Sequence, residues 1–331
     1  MDFTISRSLA PVLAVVMLAG ATFSGCGPLA ASQTGSARLR VVTTVAPHAD
    51  LVRQIAGDRV DLVQLVPDGA DSHSFEPRPS DAGALRDADL IIFNGLHLEV
   101  PSQRLADANR RPDARVLLLG DSTITPSEWV FDFSFPASEG DPNPHLWLDI
   151  TYARRFAELI RDQLVELDPK NADDYRRNTD TLSGRMEQLD AAIFQAVRAL
   201  PENNRRLLTY HDSWAYFARR YGMSVIGAIQ PSDFSEPSPR EVGALIDQVR
   251  ATGVPAIFGS EVYPSRVLEV IGQETGARYV DSLRDDELPG QPGHPNHTYL
   301  GMMLEDMRTM FGALGGRVDM FDGIDPSPIA P

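Results

Sequence analysis

The chain has 331 residues, 43% hydrophobic and 23% charged, which is globular in composition and long enough for two domains or one large α/β unit. A net charge of −16 excludes nucleic acid as a partner, because phosphate contacts need a basic surface. The single cysteine excludes a disulfide framework within the chain.

At the amino terminus, Arg7 precedes an uncharged run from Leu9 to Gly20, of signal-peptide length and too short for a membrane span. Phe23-Ser24-Gly25-Cys26 follows and resembles a bacterial lipoprotein cleavage box, with Phe23 where leucine is usual. On that resemblance residues 1–26 are a signal peptide and Cys26 is lipidated, leaving no thiol for metal or redox chemistry. The alternative is a cysteine inside an ordinary secretory signal. Residues 27–38 are mostly small and polar and read as a flexible tether.

The body opens with a β-branched strand, Leu39 to Thr44, and a helix carrying Leu51, Val52 and Ile55 that Gly57 closes. Val60 to Val66 reads as a buried strand ending in Pro67-Asp68-Gly69. Next comes the loop Asp71 to Asp81, where Pro77 and Pro79 stiffen the backbone beyond His73. Ser80 is a candidate N-cap for a helix to Asp87, and strands over 89–93 and 114–119 follow. Between Asp121 and Pro144 the pattern lapses into an acidic, proline-containing segment with no basic residue, ending in Pro144-His145.

From Ile150 helix dominates. Tyr175, Leu182, Met186, Leu189, Ile193, Val197 and Leu200 form one apolar stripe, which Pro201 ends. Strands then recur at 206–210, 224–229, 256–258 and 278–280, with helices between them. The expected architecture is α/β: two similar lobes, each with a four-stranded parallel sheet, joined by one long rigid helix with a site in the cleft. The boundaries are 39–170 for the first lobe, 171–200 for the linking helix, 201–316 for the second lobe and 317–331 for a tail.

His73, His145 and His211 each lie at or beyond a predicted strand end, and Asp281 has the same placement in the second lobe. Three imidazoles and one carboxylate suit tetrahedral Zn²⁺, with bonds of about 2.0–2.2 Å. Spacing alone leaves open the alternative that each histidine is a solvated loop residue. Imidazole binds metal only when neutral, so a three-histidine site loses affinity below about pH 6.5.

Several stretches occur in the order found in one family. They are Val42-Thr43-Thr44 with Pro47, Gly69 to Pro77, Asn94 to Glu99, Asp141 to Asp149, Tyr210 to Phe217, and Glu236 to Pro239. Over residues 39 to about 314 the body resembles the substrate-binding proteins of zinc and manganese ABC transporters. The resemblance implies extracytoplasmic capture of a divalent metal and delivery to an importer permease, by a monomer anchored to the membrane or periplasmic. It also matches His73, His145, His211 and Asp281 to the family's four ligands.

Manganese-binding members tend to carry glutamate at the position of His211, so imidazole there favours Zn²⁺, with Mn²⁺ the alternative. A zinc hydrolase is the rival from another class, but four protein ligands leave no place for a reactive water, and no His-Glu-x-x-His occurs. A surface adhesin is suggested only by descriptions of some members. The segment 121–144 lacks the histidine-rich run of many zinc-type members, and is expected to make weak oxygen contacts to metal, to dock a metallochaperone, or to be a solvated loop. Four residues are auxiliary candidates: Glu261 beside the site, His48 lining the cleft, and the His294–His297 pair as a second metal site.

Overall fold

A computed structural model describes residues 38–229, 237–260 and 265–329. The expectations for the signal peptide, Cys26 and most of the tether, and for Glu261, lie outside those residues.

The first sheet contains β1 (Leu39–Thr43), β2 (Val60–Gln64), β3 (Leu90–Phe93) and β4 (Arg115–Leu118), all parallel in the order β2-β1-β3-β4. Its connections are α1 (Ala46–Ala56), α2 (Asp81–Asp87) and α3 (Val100–Asn109). The second sheet contains β5 (Arg206–Thr209), β6 (Ser224–Ala228), β7 (Ala256–Ser260) and β8 (Arg278–Leu283), again parallel, in the order β6-β5-β7-β8. Between its strands run α6 (Ala215–Tyr221), α7 (Pro239–Thr252) and α8 (Arg266–Thr275). The two-lobe expectation therefore describes the described residues well.

One strand differs from the buried strand its sequence predicts. Val60 to Gln64 lies at a sheet edge, its side chains alternate in burial, and Val63 is 41% exposed. The apolar run resembles a central strand because it continues into Leu65 and Val66, which are buried beyond the strand's end.

Residues 146–200 form the spine. Helix α4 (Ile150–Leu167) starts where the Asp149 carboxylate accepts from the Thr151 amide. It packs along α5 (Ala172–Ala199), whose 28 residues extend about 42 Å at 1.5 Å per residue. The buried face of α5 carries Tyr175, Leu182, Met186, Leu189 and Ile193, the stripe expected from sequence. Arg220 of α6 donates to both oxygens of Asp190 on α5, at 2.8 and 2.7 Å. That fork ties the second lobe to the helix. One apolar core joins Val41 and Trp147 with Trp214, Phe258 and Tyr299 across both sheets.

The last helix, α9 (Tyr299–Ala313), begins under the N-cap Thr298. Beyond it the tail is packed against the body. Phe321 is wholly buried, Arg185 donates to the Ser327 carbonyl at 2.6 Å, and the Ile329 amide donates to Gln54 of α1 at 2.8 Å. Among the described residues no helix is long and apolar enough to cross a membrane.

Candidate metal centre

Three side chains from three separated segments meet between the sheets. His73 follows β2 in its proline-braced loop, His145 ends the acidic segment just before α4, and His211 stands two residues past β5. Their metal-binding atoms all lie within 4.8 Å of one another. The Nε2 of His145 is 3.1 Å from that of His73 and 3.4 Å from that of His211. A tetrahedral ion with bonds of about 2.0–2.1 Å holds its nitrogen ligands about 3.3 Å apart. His145 is thus already at the spacing of a metal shell from each of the other two histidines.

The central ring is fixed by its own neighbour. His145 Nδ1 and the His145 amide both lie 2.9 Å from Asn143 Oδ1. An amide oxygen can only accept, so Nδ1 carries the proton and Nε2 offers its lone pair to a metal. Asn143 is held in turn: its Nδ2 donates to Asp132 Oδ2 at 2.7 Å and to the Asp212 carbonyl at 2.5 Å. His73 is steadied through Asp71, whose Oδ1 accepts from the His73 amide at 2.9 Å. On the inner side the Trp147 ring lies 5.1 Å from His145, and its Nε1 donates to the Asp285 carbonyl in the second lobe.

Desolvation favours the neutral form of these imidazoles, although the His73 side chain itself is only half-buried. It lowers His73 to about 4, with Asp71 pulling the other way. Burial and then the charge of His73 lower His211 to about 3, while Asp285 and Asp71 oppose the shift. His145 is pushed well down by burial and by both neighbouring histidines. The neutral form is the metal-binding form, so proton competition begins well below the pH 6.5 expected from an unperturbed imidazole.

Asp281 does not join the triad. It lies within β8 with an exposed side chain. The reason is a bulge: Phe258 pairs with Val280, but Ser260 pairs with Leu283, so β8 carries one extra residue between those points. Asp281 and Ser282 both turn outward there. The strand then runs on to Leu283, and the second-lobe carboxylate whose charge reaches His211 is Asp285.

The auxiliary expectations fare differently. His48 is the third residue of α1 and wholly buried, its ring packed edge-on against Trp147 at 5.2 Å and Phe156 at 5.6 Å, so it belongs to the core. His294 and His297 are drawn into turns, His294 Nδ1 accepting from the Asn296 amide and His297 Nδ1 contacting the Pro289 carbonyl. They form no metal-ligand group with a third described residue. Sequence reading missed Asn143, Trp147 and Asp285 as site residues. Asn143 was signalled by its place two residues before His145; nothing in the sequence marked Asp285 over its acidic neighbours.

Two parallel sheets braced by one long helix, with three imidazoles converging between them, define a two-lobed metal-binding protein. The model of the family described as zinc-uptake complex component A, periplasmic (ZnuA), matches residues 41–313, and the chain belongs to that family. Its members are extracytoplasmic substrate-binding components of ABC transporters, which work with a permease and an ATPase and are not enzymes.

The relatives differ in metal. The chain is 29% identical over 305 residues to the manganese-binding lipoprotein MntA of Halalkalibacterium halodurans, covering 91% of this chain and 97% of that one. It is 29% identical over 278 residues to the iron-binding protein YfeA of Yersinia pestis, covering 84% and 87% respectively. Among solved structures it is similar to the periplasmic zinc-binding protein TroA of Treponema pallidum, with a TM-score of 0.75 and 28% identity, over 84% of this chain and 99% of that one.

Proposed function

We propose that this protein captures Zn²⁺ outside the cytoplasm and delivers it to the permease of an ABC importer, acting as a monomer held to the membrane by a lipid on Cys26. The observation that carries the reading is the nitrogen triad, with Nε2 separations of 3.1 and 3.4 Å. Imidazole nitrogen suits Zn²⁺, whereas Mn²⁺ favours oxygen. His73, His145 and His211 are the proposed ligands, with a carboxylate near the end of β8 completing the shell. Asp281 is matched to that role by family resemblance and needs the β8 bulge to shift; Asp285 already acts on His211 as the strand stands.

Mn²⁺ capture is the second reading, favoured by the similarity to MntA. Elemental analysis of protein purified from its native envelope, with Zn²⁺/Mn²⁺ competition on the stripped protein, tests the choice. Zinc at one equivalent, retained against excess manganese, is the expected result. Manganese in the native protein and displacement of zinc by manganese would overturn it.

A further inference from the structure

The acidic segment 121–144 supplies more than the central histidine. Asp132 to Phe135 form a tight turn, closed by the Asp132 amide on the Phe135 carbonyl at 2.9 Å and by the Asp132 carboxylate accepting from the Ser134 and Phe135 amides. The turn sets the Phe135 ring against all three imidazoles, with centroids 5.5 Å from His73, 5.9 Å from His145 and 5.5 Å from His211. Phe135 is 8% exposed. The turn is also fastened to the ligand segments. Asn143 links Asp132 to His145, and the Asp212 amide, next to His211, donates to Ser134 Oγ at 3.1 Å.

Phe135 stands at the triad's open side. His145 is 1% and His211 8% exposed, whereas His73 is only half-buried. His73 and Phe135 share a chamber of about 180 Å³ whose outer wall is His97, Glu139 and Asp141, all exposed at the surface. His97 Nδ1 pairs with the Asp141 carboxylate. A second space, lined by His211 and Asp285, is about 10 Å³, at the lower limit for a single water. Among the described residues, the chamber is a space beside the triad with room for a hydrated cation to approach.

We propose that the Asp132–Phe135 turn is an apolar gate on the metal site, and that a divalent cation enters and leaves past Phe135 through the chamber lined by His97, Glu139 and Asp141. The carboxylates draw the ion in and offer it weak oxygen contacts while it sheds water. The ring then excludes water from the shell and sets how long the ion stays. This inference rests on the metal-capture reading above.

The test is stopped-flow loading of the metal-free full chain with Zn²⁺, and release into excess chelator. Phe135→Ala should release zinc about tenfold faster than wild type or more, with Phe135→Leu close to wild type, because residence time is where such contacts act. Glu139→Gln/Asp141→Asn changes only surface groups. It should slow loading about threefold to tenfold at low ionic strength and converge with wild type at high salt. Wild-type protein that binds zinc while all three variants exchange at its rate would overturn the gate alone. Wild-type protein that takes up neither Zn²⁺ nor Mn²⁺ would overturn the metal-capture reading and the gate with it.

Discussion

The two lobes share a topology but not a quality of build. In the first sheet every strand pair keeps one register from end to end. In the second, β5 and β6 slip between Leu207 and Leu208, β7 and β8 slip between Phe258 and Ser260, and β5 meets β7 through Thr209 and Phe258 alone among described pairs. The regular lobe delivers His73 and His145, the latter locked by Asn143. The irregular lobe delivers His211 and the carboxylates around the β8 bulge. A site built this way has a fixed half that waits for metal and an adjustable half that completes the shell, so ligand loss should cost most on the fixed side.

The largest expected effect is therefore at His145, whose Nε2 contacts both other ligands. His145→Ala should weaken zinc binding by more than the roughly 100-fold that loss of a ligand's supporting partner costs. Equilibrium competition with a chromophoric chelator measures it, and a loss below about tenfold would show that the fixed half does not dominate binding. Asn143→Ala comes next, with an expected loss of about 10–100-fold, since His145 would no longer be held to one tautomer. An unchanged affinity would show that packing against Trp147 alone orients the ring.

The fixed half also makes a pH prediction through His48. Burial lowers this imidazole to about 3, from an unfolded value near 6.5. The unfolded chain therefore binds a proton in that window while the folded chain does not, and stability falls as pH drops below about 6.5. The slope from this one group approaches about 1.4 kcal/mol per pH unit. Asp50, raised to about 6 by burial, acts in the opposite sense, so the informative quantity is the difference between wild type and His48→Leu. Denaturant melts from pH 7 to 4 should show a flatter acid limb for the variant; parallel curves would refute the assignment.

On the adjustable side, Asp281→Asn and Asp285→Asn separate the two carboxylates. Whichever completes the shell should cost more affinity on replacement, and equal, negligible effects would leave a three-histidine site. His294→Ala should have the smallest effect, within about twofold, because that ring lies in an exposed turn away from the triad.

Much of this was legible from the chain. The strands announced themselves as β-branched and apolar runs ending at turn residues, and α5 as a stripe at helical spacing. Helix α3 carried little signal, since Ser102, Gln103 and Arg104 interrupt its apolar positions and only Ser102 and Ala106 are buried in it. Asp281 illustrates the harder limit. Alternation along a strand predicts facing only where the register is unbroken, and a bulge is a property of the pair of strands, invisible in either one. Phe135 was visible only as one of several loop aromatics, because its role depends on three histidines that lie 10 to 76 positions away in sequence.

Trp147 ties these threads together in a practical way. Its indole touches the His145 ring, hydrogen-bonds to the second lobe through the Asp285 carbonyl, and is wholly buried. A change in charge on the imidazoles, or in the seating of the β8–α9 segment, alters the surroundings of a fluorophore. The molecule thus carries an indole at the junction of its fixed and adjustable halves, and its emission is expected to change with metal occupancy.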